Sequence, residues 1–310
     1  MALDQAQLIG TFLELVLQGF YIMLFIEHVK ILHGSAANSW AFRYLLATSI
    51  TIFLLATTHT IVDVTRATIA FTATPSIPNA AAKYYANFSA FMSIFRTAIY
   101  DALTIVSDAF IVYRCFLVWG KNYWITLLPF LLFLADFATS VWSTSALGVA
   151  PTGDPFAVIA VTLRVRYFYG FTIAVNLLCT ALISYKIWNV NRGAAGRFGG
   201  PVVSKLVAVF IESAAIYSMF LVALLTTSIL GTDVMFILLN MMCPIIGIVF
   251  SSVIVRVTSE RSKASFQASS LRSRETRFGS RAEPTGAMEI RLETVTHTGT
   301  DGPDKYTNAV

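Results

Sequence analysis

The sequence predicts an all-α, polytopic membrane protein: a seven-transmembrane-helix bundle followed by a basic, disordered C-terminal tail. Three observations lead there. The chain of 310 residues is 56% hydrophobic and only 13% charged, with a mean hydropathy of +0.69, whereas a soluble domain carries about a quarter charged residues. The charges are unevenly placed, sparse over long stretches and crowded beyond Val257. Seven stretches are long and apolar enough to cross a hydrocarbon core of roughly 30 Å, which takes about 20 helical residues. The chain divides accordingly into a transmembrane domain over 1–256 and a tail over 257–310.

The first span runs from about Leu8 to Val29, the second from Tyr44 to Val64 and the third from Thr97 to Trp119. The fourth covers Trp124 to Ser143, the fifth Tyr167 to Trp188, the sixth Leu206 to Leu230 and the seventh Val234 to Val255. The apolar run Phe156 to Leu163 is too short to cross and is expected in a loop. Pro129 and Pro244 are expected to kink the fourth and seventh spans. Gly247 and Ser251 form a small-x-x-x-small pair that permits close helix approach. Beyond Val257, Arg261, Lys263, Arg272, Arg274, Arg277 and Arg281 alternate with serines, and apolar residues are too few to bury a core, so disorder is expected.

Basic residues close to the spans mark the cytosolic side. With the N-terminus outside the cytosol, Lys30, Arg43, Arg114, Lys121, Lys186, Arg192, Arg197, Lys205 and the whole basic tail fall inside. Only Arg66, Lys83, Arg96, Arg164 and Arg166 fall outside. Asn87-Phe88-Ser89 is a glycosylation sequon in a loop on that outer side, which makes Asn87 a candidate acceptor. The N-terminus lacks a basic n-region and a clear cleavage site, so the first span reads as an uncleaved anchor. The expected location is the plasma membrane or a secretory-pathway membrane, with the C-terminus cytoplasmic. Cys115, Cys179 and Cys243 lie in or at the edge of spans, where no disulfide framework is implied.

Ionisable groups within a span cost at least about 2.5–3.5 kcal/mol at mid-depth, so each needs a reason. An outer layer comprises Glu14, His59, Asp63, Asp101 and Asp136; Asp108, Arg114 and Glu212 lie deeper or toward the cytosol. His59 and Asp63 stand one turn apart, and Asp101 and Asp108 share one face of the third span. The acidic layer, with Asp108, is the candidate site for a cation or a cationic ligand. The alternative is that these groups are protonated or bond to the Ser, Thr and Tyr hydroxyls that stud the spans. Arg114 and Glu212 match in depth and form a candidate interhelical pair, a plausible registry or switch element.

Several chemistries are poorly supported. The seventh span has no Lys for a retinal Schiff base. His28 and His33 lie at the opposite end of the membrane from His59, and His297 is in the tail, so the histidines do not meet around a metal. No phosphate loop, nucleophile elbow or CxxC pair is present, so no cofactor, nucleic acid or catalytic residue is expected.

Three segments carry a resemblance. Ser107-Asp108-Ala109 runs through Tyr113-Arg114-Cys115 to Val118-Trp119-Gly120-Lys121; Ile211-Glu212-Ser213-Ala214 leads to Tyr217-Ser218; Pro244-Ile245-Ile246-Gly247 leads to Val255-Arg256-Val257. With these the chain resembles a family of seven-span membrane proteins of basidiomycete fungi whose function is not established. The resemblance implies the architecture and marks Asp108, Arg114 and Glu212. A looser analogy is to G-protein-coupled receptors, although the seventh span lacks their adjacent Asn-Pro pair and no Cys ties the third span to an outer loop. The expected function is receptor-like, with a small-molecule ligand at the outer side and a cytosolic signalling partner. The alternatives are a secondary transporter or channel for a cation or small solute and, third, an intramembrane enzyme.

Overall fold

The computed structural model describes residues 2–34, 40–72, 79–149, 155–193 and 200–279. They form α1 (Leu3–Gly34), α2 (Trp40–Thr72), α3 (Ala80–Ala86), α4 (Phe91–Val118), α5 (Tyr123–Val149), α6 (Pro155–Gly193), α7 (Gly200–Leu230) and α8 (Val234–Gly279). Six of these, α1, α2, α5, α6, α7 and α8, are long and apolar enough to cross a membrane. The expected third span, α4, differs in composition. It has 28 residues, about 42 Å at 1.5 Å per residue, but Arg96, Asp101, Asp108 and Arg114 keep it more charged than the others.

The polarity of the bundle is inverted relative to a soluble protein. Met23 is 70% exposed and Phe12 60%, while Glu14 and His59 are fully buried. Apolar side chains facing out and charges facing in are what lipid as solvent demands. The protein is therefore a multi-pass helical membrane protein whose outer surface is built for a bilayer.

α4 explains its own charge by its position. It packs against α2, α5 and α6, and Ser93, Arg96, Asp101, Thr104 and Asp108 are all buried. These residues recur at helical spacing, so one polar stripe is turned to the protein interior. A large core cluster joins Tyr21, Ile52, Tyr100, Phe168, Tyr217 and Phe250. A smaller one, Val112, Cys115, Val175, Cys179 and Ile183, ties the end of α4 to α6. Cys115, Cys179 and Cys243 are free and buried, packing as small apolar side chains.

Three elements depart from expectation. The run Phe156 to Leu163 is not a loop: it forms the first turns of α6, because no Gly or Pro interrupts the chain before Gly170. The helix α8 likewise continues past Val257 to Gly279. The first part of the expected disordered tail is therefore helical, since Ala, Arg, Lys, Gln and Glu are good helix formers and no Gly or Pro stands between 257 and 278. Residues 280–310 lie outside the described residues. The chain divides into two units, 1–264 and 265–310, eight residues beyond the expected boundary. The short helix α3 had no strong signal in the sequence.

The turn between α4 and α5 shows how local chemistry sets a boundary. Gly120, at φ +65°, occupies the left-handed position after the helix. Its N–H reaches Leu117 O at 3.1 Å and Lys121 N–H reaches Phe116 O at 3.0 Å, a Schellman closure. Asn122 then caps α5 by accepting from Trp124 N–H at 3.1 Å. Pro129 and Pro244 both lie inside continuous helices. Pro244 has no N–H for the carbonyl four residues back, which belongs to Asn240.

The small pair in α8 permits close approach, but to a side chain. A Cβ on Gly247 would come within 2.4–2.7 Å of three ring atoms of Tyr21. Gly10 plays the same part at the other end of the α1–α8 contact, where a Cβ would fall 2.8 Å from Asn240 Nδ2.

Candidate functional site

Four helices deliver polar side chains to one buried region near the end of the bundle that carries α3. Glu14 comes from α1, His59 and Asp63 from successive turns of α2, Arg96 from α4 and Asn240 from α8. His59 Nδ1 is 2.8 Å from Glu14 Oε1, and the Thr60 hydroxyl is 2.9 Å from the same oxygen. Asp63 Oδ1 lies 2.6 Å from Arg96 Nε and 3.2 Å from Arg66 NH1. Arg96 also donates to the side-chain oxygen of Asn240, whose amide lies 3.4 Å from Gln7 Oε1. Arg66 donates to Ser93 at 3.2 Å and sits over the Tyr85 ring at 5.4 Å. That contact pins α3 onto α2, and burial pushes the Tyr85 phenol up to about 12.

Every member of this network is at most 7% exposed. Two carboxylates face two guanidiniums, so the formal charges cancel. A lone charge at this depth would cost several kcal/mol, whereas a network of opposite charges and hydrogen bonds offsets much of that. Glu14, His59 and Asp63 are therefore brought together, with Asp63 turned to the two arginines and Glu14 to His59 and Thr60. The same three side chains place donor atoms within 4.8 Å of one another, a spacing a metal could use. The positions of the histidines alone do not reveal these converging carboxylates. The donor set still disfavours a cation, because Arg96 and Arg66 already neutralise Asp63 and a divalent ion would leave a large uncompensated positive charge.

Arg66 and Arg96 are the functional residues that sequence reasoning overlooked. Both were assigned to outer loops, yet α2 runs on to Thr72 and α4 begins at Phe91. The signal was present: Arg66 follows Asp63 by one turn, and Arg96 stands in register with Asp101, Thr104 and Asp108. Removing these two from the loop charges leaves only Lys83, Arg164 and Arg166 on the side taken as outer.

The two guanidiniums form part of the wall of a cavity of about 230 Å³. Asp101, held by the Thr144 hydroxyl, contributes an acidic group. Phe88, Tyr100, Phe168 and Phe236 are aromatic members of its lining. Nearby, Arg166 donates to the Ser228 carbonyl at 2.6 Å and fastens α6 to α7.

Asp108 faces the other half of the bundle, where a cavity of about 70 Å³ is lined by Asp108, Arg114, Asn176, Ser213, Tyr217 and Phe250. Asp136 belongs with Asp108 and not with the outer layer. It is fully buried, accepts from Thr172 at 2.7 Å, and its carboxyl lies in hydrogen-bond contact with that of Asp108. The six acidic and histidine candidates thus separate into a charge network (Glu14, His59, Asp63), a cavity wall (Asp101) and a carboxyl pair (Asp108, Asp136).

The expected Arg114–Glu212 pair is replaced. Glu212 pairs with Arg256 of α8 at 2.5 Å, while the Arg114 guanidinium lies 4.2 Å from the Phe110 ring centroid. Equal depth did not decide the partner, because α7 stands beside α8 at that level. Arg256 and Glu212 are 49% and 56% exposed, and an exposed pair contributes about 0–1 kcal/mol. Reversing both charges is expected to restore the melting temperature of either single reversal, with a coupling of at most about 1 kcal/mol in a double-mutant cycle. A larger coupling would place the pair in a much drier setting.

His28 lies 3.1 Å from the Ser49 hydroxyl at the far end of the bundle; the His33 side chain and His297 lie outside the described residues. Asn87 is exposed just after α3, only four residues before α4 begins and so closer to that helix than the sequence suggested.

Fold and site together define a multi-pass helical membrane protein in which a neutral, buried charge network walls a cavity at one end. Comparison of the chain with protein-family models, curated proteins and solved structures returns no match.

Proposed function

We propose that this is a receptor-like membrane protein that binds a small amphipathic molecule in the 230 Å³ cavity. The observation that carries the reading is the asymmetry of the bundle. One end holds a cavity with aromatic walls and a few converging polar groups, and the cavity beside Asp108 in the other half is smaller, at about 70 Å³. Apolar lining with sparse, placed polar groups is the usual form of a small-molecule site. The apolar body of the ligand packs against Phe88, Phe168 and Phe236, and its polar head lies between the Arg66–Arg96 wall and Asp101.

In this reading α1, α2 and α4–α8 are the seven spans, the cavity end faces away from the cytosol, and the basic extension of α8 meets a cytosolic partner. The protein resides in the plasma membrane or the secretory pathway. The three segments that carry the resemblance to the basidiomycete seven-span family meet at the smaller cavity through Ser107, Asp108, Arg114, Ser213, Tyr217 and Ile246.

The test is a ligand screen by melting temperature on protein in nanodiscs. A ligand at a hundred times its Kd stabilises by about 2.7 kcal/mol. Leu239→Trp, which fills the cavity from α8, is expected to abolish that rise while leaving the unliganded melting temperature within a few degrees. A hit that binds Leu239→Trp undiminished would sink the cavity assignment.

A transporter for a cation or small solute is the second reading, favoured by the succession Asp101, Asp136, Asp108 from the large cavity toward the small one. It predicts charge movement or uptake in proteoliposomes that Asp108→Asn abolishes.

A further inference from the structure

The pair Asp108 and Asp136 is not used by the ligand cavity, and its geometry has a chemical consequence of its own. Asp108 is 1% exposed and Asp136 is fully buried, and their carboxyl groups lie in hydrogen-bond contact across the α4–α5 interface. Two carboxylates cannot make that contact; a hydrogen bond between them requires a proton on one.

Among the described residues, no Lys, Arg or His forms an ion pair with either carboxyl. From α4 the charged and titratable groups around the pair are Asp101, which is acidic, and Arg114, whose guanidinium lies over Phe110. From α6 Cys179 faces Asp108 and Tyr169 faces Asp101; from α7 Tyr217 faces both members of the pair; from α8 Cys243 faces Asp101 and Tyr217. Thr172 donates to Asp136 Oδ1.

A second observation, separate from the acidic pair, points to an occupant. The Tyr217 hydroxyl is buried without a hydrogen-bond partner, on a side chain 5% exposed that lines the same 70 Å³ cavity as Asp108. A buried hydroxyl left unsatisfied at the wall of a small cavity that Asp108 also lines is what a site for a water-delivered proton presents.

We propose that Asp108 and Asp136 form a proton-binding site that holds one shared proton between α4 and α5, supplied through the small cavity by way of Tyr217. The proton joins one carboxyl as an O–H donor to the other, and its release to water leaves two adjacent carboxylates whose repulsion separates α4 from α5 on that side. The site stands whether the large cavity binds a ligand or passes a solute.

The test is infrared difference spectroscopy of the full chain in nanodiscs, titrated across pH. A protonated-carboxyl C=O band is expected at neutral pH and is expected to vanish in both Asp108→Asn and Asp136→Asn. It should persist in Asp101→Asn and Glu14→Gln. Thr172→Val keeps both carboxyls, serves if the asparagine variants do not fold, and should shift the band through the lost hydrogen bond to Asp136. Absence of a protonated-carboxyl band in the wild type, its survival in either asparagine variant, or a band unmoved by Thr172→Val would overturn the proposal.

Discussion

Arg96→Met is expected to cost about 3–5 kcal/mol, the usual penalty for removing one partner of a buried ion pair. Asp63 would keep only Arg66, at 3.2 Å, in place of two guanidiniums, and the side chain of Asn240 would lose its charged donor. Because Arg96 links α4 to α2 and α8 together, the loss spreads over three helices. A melting temperature by fluorescence-detected size exclusion should fall steeply, or the monodisperse peak should disappear. Asp63→Asn in the same chain should recover part of the loss, since it removes the charge left stranded. A single variant that melts with the wild type would show that the network is ornamental to stability.

Gly247→Ala is the second large effect, and its cause is steric. The added methyl would lie 2.4 Å from the ring of Tyr21, which is itself fully buried in the core. Forcing a methyl into such a packed contact costs about 1–3 kcal/mol. Leucine at position 21 removes the outer ring atoms, so Gly247→Ala should be nearly neutral in a Tyr21→Leu background. A substitution equally costly in both backgrounds would mean that the strain lies in the α8 backbone and not against α1.

Composition and apolar runs were enough to reach a helical protein in a bilayer, because lipid leaves the backbone no other way to satisfy its polar groups than helices or closed barrels. The candidate carboxylates were legible for the same reason, as charges where charges are expensive. Lengths were less legible. Phe156–Leu163 and the segment after Val257 read as non-helical by hydrophobicity, yet a helix continues where no residue breaks it, whether or not lipid surrounds it. That same preference for hydrophobic stretches placed Arg66 and Arg96 in loops, when both sit on helices that extend beyond their apolar windows.

The sequence by itself determined the solvent, the helices and the presence of buried charge, since these depend on residue type and local spacing. Only the tertiary structure decided which charges meet. Glu212 chose Arg256 over Arg114, Asp63 found Arg96, and Asp136 found Asp108, because partners are set by which helices adjoin and how each is rotated. An ion pair acts over a few ångströms, while partners in space here stand 44 residues apart in the chain for Glu212 and Arg256 and 144 for Arg96 and Asn240. Depth can be counted along a helix; facing cannot.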